Sequence, residues 1–257
     1  MTTDPSASQT FDLDDFIRNT KFSGYQQITV PTGRVIPGTD RAPAADLVYG
    51  ADLTGKSVLD VGCYYGFFLH DAIRRGATKA VGIEADPERF RIASTLATLW
   101  DGKIRIHQGL LEEVSLDEKF DVVLFLNVIH HVKDPLAVMR RLASLCRGTL
   151  IVEFRQPHDP QFVRECFQAR GGATGRPSVI RRLGDRVRTK LQTRMVEWLT
   201  KDLPIVCVGA VEYHRSYFFS RAGFTNMFHV HNGMFKSVEF RPSLTRGQVL
   251  AICDCSE

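Results

Sequence analysis

The chain reads as an α/β protein built on a mostly parallel sheet with helices on both faces, and three observations carry that reading. From Lys56 onward, short apolar runs alternate with amphipathic segments, which is the rhythm of β-α units. The run Phe120–Leu126 is almost unbroken apolar, as a strand buried on both faces requires. The 257 residues, 44% apolar and 24% charged, suit one large domain or one domain carrying an insertion.

Taken in order, residues 1–10 are polar and Ser/Thr-rich and predict a frayed terminus. An acidic start predicts a short helix over Asp12–Asn19. Phe22–Arg41 is punctuated by Gly24, Pro31, Gly33, Pro37 and Gly38, so residues 1–55 read as an N-terminal arm or cap and not as core. The core spans 56–154. Ser57–Val61 is a strand, Gly66–Arg75 begins a helix and Ala80–Glu84 is the next strand. Asp86-Pro87 opens a helix, since Asp caps and Pro suits the first helical position. Ile104–His107 and Phe120–Leu126 are strands, Asp134-Pro135 starts a capped helix running towards Cys146, and Gly148–Phe154 is a fifth strand. The rhythm breaks over 155–212, an insertion. Residues 213–257 then complete the sheet, with a helix over Tyr213–Ala222 and strands over Phe224–Val230 and Gln248–Cys253, which makes seven strands in all.

No stretch reaches the ~20 uncharged apolar residues of a membrane span, and Met1–Gln9 lacks the order of a signal peptide, so a cytoplasmic protein is expected. The six cysteines show no C-x-x-C spacing of a zinc or redox site and read as reduced thiols. His229 and His231 alternate on a predicted strand and point to one side, but no third ligand stands at a metal-site spacing, so no metal is expected.

The densest signal is Val58-Leu59-Asp60-Val61-Gly62-Cys63-Tyr64-Tyr65-Gly66, followed by Val81-Gly82-Ile83-Glu84. A buried strand ends in an acid and a glycine turn before a helix, so backbone N–H groups are expected to face a crevice at the carboxyl ends of the strands. Glu84, ending the next strand, is placed to accept hydrogen bonds from the hydroxyls of a ribose. A dinucleotide fingerprint is absent because Tyr64 stands where its second glycine would be, and no phosphate-binding P-loop occurs. The remaining ligand is a nucleoside without phosphates.

These residues resemble the class I S-adenosylmethionine-dependent methyltransferases, over roughly Gly55–Phe154 and again from Tyr213 to Asp254. Asp60-x-Gly62-x-x-x-Gly66 is similar to the family's first motif, Glu84 to its ribose-binding acid, and Phe120-Asp121-Val122-Val123 to its fourth-strand motif. Asn127-Val128-Ile129-His130-His131-Val132-x-Asp134-Pro135 looks like its post-strand loop. The resemblance implies a Rossmann-like fold and S-adenosylmethionine as cofactor. The methionine carboxylate would lie against the amides of Gly62, Cys63 and the loop to Gly66, and Asp60 would organise the loop and the amino group. Adenine would sit near Ala85 and Leu110, and Asn127 would stand beside the methionyl end. Tyr64 replaces the family's usual middle glycine. Leu110 follows Gly109 where the family often has an Asp for the adenine amino group, so backbone groups at Gly109–Leu110, with Gln108 nearby, are the expected substitutes.

Methyl transfer from a sulfonium is an in-line displacement whose main demands are alignment and exclusion of water. A base is needed only if the acceptor must lose a proton. His130 and His131 are the candidates, with His130 nearer the strand end, and the alternative is that the pair only structures the loop. Tyr25 in the arm, Glu153 and Arg155 at the end of the fifth strand, and Tyr213 and His214 are candidate acceptor contacts. Residues 164–201 hold ten Lys and Arg against three acids, a local charge of +7 in a chain of net +4. There Ile180, Leu183, Val187, Leu191, Met195 and Trp198 recur at helical spacing, a basic amphipathic helix. It reads as a lid over the acceptor pocket with its apolar face inward. Alternatives are a grip on RNA, in line with a limited resemblance of the core to the tRNA wobble-uridine carboxymethyl-transferring enzymes, or on an acidic partner or membrane surface. The expected function is methyl transfer to a small molecule, as in natural-product biosynthesis. An RNA-modifying transferase and a non-catalytic S-adenosylmethionine-binding subunit are the alternatives.

Overall fold

A computed structural model describes residues 11–50, 52–168, 179–211 and 214–256. The chain begins with α1 (Leu13–Asn19), whose first turn is capped by the Asp12 carboxylate accepting from the Asp15 N–H at 3.0 Å. A two-stranded hairpin follows, β1 (Ile28–Thr29) against β2 (Val35–Ile36), and then α2 (Ala42–Tyr49). The hairpin corrects the reading of this segment as an arm outside the core. Ile28, Val30 and Ile36 are buried against Tyr65, Phe67, Ile92 and Leu96. Gly38 closes the loop where a Cβ would stand 2.3 Å from the Gln26 carbonyl oxygen, so the turn residues that suggested irregularity are what the hairpin requires.

The central elements are β3 (Ser57–Val61), α3 (Phe67–Arg74), β4 (Lys79–Glu84), α4 (Pro87–Ala97), β5 (Ile104–Gln108), β6 (Phe120–Leu126), α5 (Pro135–Leu145) and β7 (Cys146–Arg155). Asp86 caps α4, accepting from the amides of Glu88 and Arg89, and Asp134 caps α5, accepting from those of Leu136 and Ala137. Asp121 turns away from the crevice. It accepts from Arg147 and from Ser57, which holds its carboxyl well below the ordinary range and ties the starts of β3, β6 and β7 together.

After β7 come α6 (Pro160–Gln168), α7 (Val179–Thr200), β8 (Val206–Val211) and β9 (His214–Phe219), the last two forming an antiparallel pair. The chain ends with α8 (Arg221–Phe224) continuing into a π-helical turn over Thr225–Val230, then β10 (Ser237–Pro242) and β11 (Gln248–Asp254). Two expectations are corrected here. The segment expected to be helical over 213–222 is largely strand, because Phe218 stacks on Phe162 at 3.9 Å while its neighbour Phe219 packs on Phe154 on the other side, an alternation that only a strand allows. The segment expected to be a strand over 224–230 is helical. Phe224 and Phe228 are four residues apart, fully buried and in ring contact at 4.9 Å, and Phe224 also stacks on Phe154 at 4.7 Å. His229 and His231 therefore do not share a strand face, and His229 Nδ1 is bonded to the Phe235 carbonyl at 2.8 Å.

The seven-stranded sheet has the order β10-β11-β7-β6-β3-β4-β5, parallel throughout except for β11, which runs antiparallel to both β7 and β10. Its seventh strand is thus Ser237–Pro242 and not the segment expected. Chain order reverses between β3 and β6, which opens a crevice at their carboxyl ends.

Among the described residues of the insertion, none takes the expected inward-facing place over the cavity. On α7, Val187, Leu191, Met195 and Trp198 are 49–72% exposed, Thr193 is buried, and none of them borders the crevice. The helix rests on α6, and these four members of the predicted stripe are exposed, while the side chains of Ile180 and Leu183 lie outside the described residues. No helix among the described residues is long and apolar enough to cross a membrane.

Candidate active site

The crevice at the switch point is a cavity of about 960 Å³, at the upper end of the ~300–1,000 Å³ usual for small-molecule and cofactor sites. One end is built on β3, β4 and the loop after β5, where Asp60, Gly62, Tyr64, Glu84, Ala85, Gly109, Leu110 and Glu112 line it. The other end is built on the carboxyl ends of β6 and β7, with Asn127, Val128, His131 and Glu153. Over the top lie Tyr25, Gln26 and Thr39–Arg41 from the N-terminal hairpin, and Ser243–Thr245 from the turn between β10 and β11.

At the first end, Glu84 is 5% exposed and accepts backbone N–H bonds from Tyr64 at 2.9 Å and from Asp86 at 3.0 Å, one on each oxygen. Each oxygen keeps a lone pair for a further donor. Asp60 is 2% exposed, and its Oδ2 is buried with no hydrogen-bond partner. Burial, and then the charge of Glu84, push the Asp60 carboxyl up to about 8. Gly62 and Gly66 take left-handed backbone angles of +80° and +87°, and a Cβ on Gly62 would meet Val128 Cγ2 at 2.7 Å. Tyr64 also takes a positive φ of +58°, held by its amide bond to Glu84 and by ring contacts with Tyr25 at 4.8 Å and Tyr65 at 4.4 Å.

The amides of this loop are not available in the manner expected. Gly62 and Cys63 donate to the Ile83 carbonyl, Gly66 to the Cys63 carbonyl, and Tyr64 to Glu84. Tyr65 and Phe67 both donate to Oε1 of Gln26, at 3.2 Å each. Every loop N–H from Gly62 to Phe67 is thus spent inside the protein. Cys63 and Gly66 are buried behind the loop and do not reach the cavity. The reason is Gln26, a buried residue of the hairpin that docks on the loop; no sequence motif marks it. Gln108 is exposed and off the cavity wall, because it lies beyond the last inward-facing position of β5. The Gly109 amide donates to the Glu84 carbonyl and that of Leu110 to Glu113, so these two contribute surface and not free amides.

At the second end, Asn127 has a positive φ of +61° and donates its amide to the Glu153 carbonyl at 3.3 Å. The Glu153 carboxyl accepts from the Ser243 hydroxyl, and burial raises its pKa although Arg41 pulls the other way. Of the two histidines, only His131 lines the cavity. His130 lies behind it, ring to ring at 4.0 Å and 2% exposed. Burial first, then His131 and Arg155, lower its pKa to about 3. The expectation that placed His130 ahead as a base is therefore reversed by position: it follows the strand end but turns inward. Arg155 does not line the cavity, and neither does any described residue of the insertion. Tyr213 lies outside the described residues, and His214 begins β9. Arg41, Arg89, Glu112 and Ser243–Thr245 are cavity residues that sequence reasoning missed. Arg89 could have been found as the position one turn into the capped helix after the ribose acid. Among the described residues no group of three His, Cys, Asp or Glu is arranged to hold a metal ion.

A seven-stranded sheet in which only β11 runs against the rest, and a carboxylate that ends β4 and faces the switch-point crevice, define an α/β protein suited to a nucleoside. A family model described as a methyltransferase domain matches residues 36–230. The chain belongs to that family, the class I S-adenosylmethionine-dependent methyltransferases. It is 38% identical over 109 residues to a tRNA U34 carboxymethyltransferase of Dichelobacter nodosus, covering 40% of this chain and 34% of that protein. It is 36% identical over 107 residues to a ubiquinone biosynthesis O-methyltransferase of Neisseria meningitidis serogroup C, covering 40% and 45%. The matched region is less than half the length of either curated relative. The fold is shared by the N-terminal domain of EvdMO1, solved in the presence of SAH and D-fucose, with TM-score 0.59 and 16% identity over 96% of this chain and 98% of that one. It is shared too by the Burkholderia thailandensis 1,6-didemethyltoxoflavin-N1-methyltransferase, with TM-score 0.54 and 12% identity over 84% and 78%.

The cavity fits the family's cofactor. The unpartnered, buried Asp60 Oδ2 suits an ammonium group, and the two half-used Glu84 oxygens suit two ribose hydroxyls.

Proposed function

We propose that this protein methylates a small-molecule acceptor within a single covered cavity. The observation that carries this reading is the continuity of that cavity, which runs from Asp60 and Glu84 to Asn127, His131 and Glu153 beneath a cover made by Tyr25, Arg41 and Ser243–Thr245. Bound S-adenosylmethionine supplies an electrophilic methyl carbon on a sulfonium whose departure leaves a neutral thioether. The residues do the rest. Glu84 fixes the ribose, Asp60 the ammonium and Arg41 the methionyl carboxylate, while Ala85 and Leu110 border the adenine and Glu112 offers its amino group an acceptor. The roof excludes water, and fixing the acceptor against the cofactor is worth several kcal/mol of the barrier. His131 is the residue positioned to take a proton from an acceptor hydroxyl or amine, and Glu153 is a second carboxyl at the same end.

The likeness to a tRNA U34 carboxymethyltransferase favours RNA as a second reading. Against it, the described basic residues of α7, Arg188, Lys190 and Arg194, do not line the cavity. A non-catalytic binding subunit would need no space beyond the cofactor, yet the cavity continues to His131 and Glu153.

The test is calorimetric titration with S-adenosylmethionine, its demethylated product and NAD, followed by acceptor assays with small molecules and with tRNA. Micromolar binding of the first two without NAD, and turnover of a small molecule without tRNA, is expected. Turnover of tRNA alone would replace this reading by the second.

A further inference from the structure

Helix α7 is turned the wrong way round for a helix that meets only water. At ~100° per residue, Val187, Leu191, Met195 and Trp198 fall within about 80° of its circumference, with Leu199 just beyond. All five are 49–72% exposed. The opposite side is the covered one, where Thr189, Gln192, Val196 and Thr200 are half-buried and Thr193 is 2% exposed. The Thr200 hydroxyl donates back to the Val196 carbonyl at 2.7 Å, while the Thr193 hydroxyl is buried with no partner. A helix packed in water alone gains by burying the leucines and the tryptophan and exposing the threonines. The inverted order is that of a surface made to be covered. The charges follow it. Lys190 and Arg194 border the apolar arc on one side and Arg188 on the other, all three exposed. Glu197, the one acid in 187–200, stands off the arc, 4.0 Å from His158.

We infer that the outer face of α7 is a docking surface for an anionic phospholipid bilayer. Apolar side chains bordered by cations, with a tryptophan among them, suit a helix lying in the plane of a bilayer surface. Its apolar residues enter the acyl boundary and its cations meet the headgroup phosphates. A second copy of the chain would set the same cations against one another, in a segment, 164–201, whose ten Lys and Arg outnumber three acids. An acidic protein would have to supply a groove matched to one convex ridge, a demand that a fluid bilayer does not make. The face is separate from the cavity, which none of these residues lines.

The test is flotation of the whole protein with vesicles of phosphatidylcholine alone and of phosphatidylcholine mixed with phosphatidylglycerol. Binding to the mixed vesicles only, weakened by added salt, is expected. Lys190→Gln with Arg194→Gln should weaken it roughly tenfold or more, and Leu191→Ser with Trp198→Ser should weaken it as far. All four side chains are exposed, and an unchanged urea midpoint checks the fold of each variant. If one pair of substitutions does not fold, the other decides. No flotation with the mixed vesicles, equal flotation with both kinds, or undiminished binding in either folded variant would overturn the inference. So would self-association of the free protein in sedimentation equilibrium that Leu191→Ser with Trp198→Ser abolishes, since the face would then belong to a second copy.

Discussion

Replacing Asp60 by Asn should change how the stability of the fold depends on pH. The Asp60 carboxyl is pushed up to about 8 in the folded chain, by burial and then by Glu84, whereas its ordinary value is 3.8. Buried His70 and His130 are both lowered to about 3, by burial first. Between pH 6.5 and 8 the unfolded chain sheds its remaining histidine protons, while folded Asp60 holds a proton that the unfolded chain has released. Stability therefore falls as pH rises through this window, by about 1.4 kcal/mol per unit at most and about 1 kcal/mol net in total. Below pH 6.5 the unfolded chain takes up two histidine protons that the folded chain refuses, which outweighs the one held by Asp60, so stability falls again towards acid. The profile should peak near pH 6.5. Asp60→Asn keeps the shape of the side chain without the proton and should flatten the alkaline limb while leaving the acid limb in place. Urea unfolding at half-unit pH steps, with the denaturant slope constant across the series, measures both limbs. A wild type as stable at pH 8 as at pH 6.5, or an equal slope in Asp60→Asn, would show that Asp60 is ionised in the folded protein and that the argument is wrong.

Gln26→Ala removes the acceptor of two buried loop amides and should cost about 2–4 kcal/mol of stability, with weaker S-adenosylhomocysteine binding; Tyr25→Ala, on the same arm but 43% exposed, should cost little by the same denaturation assay. Glu84→Ala should weaken cofactor binding by ~2–3 kcal/mol, the value of one or two charge-assisted hydrogen bonds; unchanged affinity in calorimetry would mean that the ribose lies elsewhere. For an acceptor that must lose a proton, His131→Ala should lower kcat about 100-fold, and equal losses in His130→Ala and His131→Ala would remove the distinction drawn from their positions. Phe224→Ala opens a cavity among Phe154, Phe219 and Phe228 and should cost about 3–5 kcal/mol in thermal or urea unfolding.

The central β-α units were legible because their signals are local. Asp86-Pro87 and Asp134-Pro135 cap the helices they announce, and Ser57–Val61 and Phe120–Leu126 form strands with the bounds their composition predicts. Glu84 and Asp60 were placed in the crevice by the same local logic. What escaped depends on partners distant in the chain. Phe218 and Phe219 read as helix until β8 supplies a ladder partner and Phe162 and Phe154 the two faces of a strand, and Phe224–Val230 reads as strand until Phe154 offers a ring to stack on. Gln26 looks like any polar loop residue, and its two bonds to the loop 39 and 41 residues away decide which amides remain free. Val187, Leu191, Met195 and Trp198 do fall on one helix, but periodicity does not say which way a helix turns its apolar residues.

The cover of the cavity comes from two stretches, 25–41 and 243–245, that lie at opposite ends of the chain, and neither supplies a strand to the central sheet. The cofactor end is instead woven into strands whose register fixes Asp60 and Glu84. Inheritance can therefore treat the two ends separately. Drift in the hairpin or in the turn after β10 changes what the acceptor meets while the β3–β4 pairing stays intact. A library confined to Thr39, Asp40 and Ser243–Thr245 samples new acceptors from one unaltered donor site, with Gln26 and Arg41 left untouched as the joint between them.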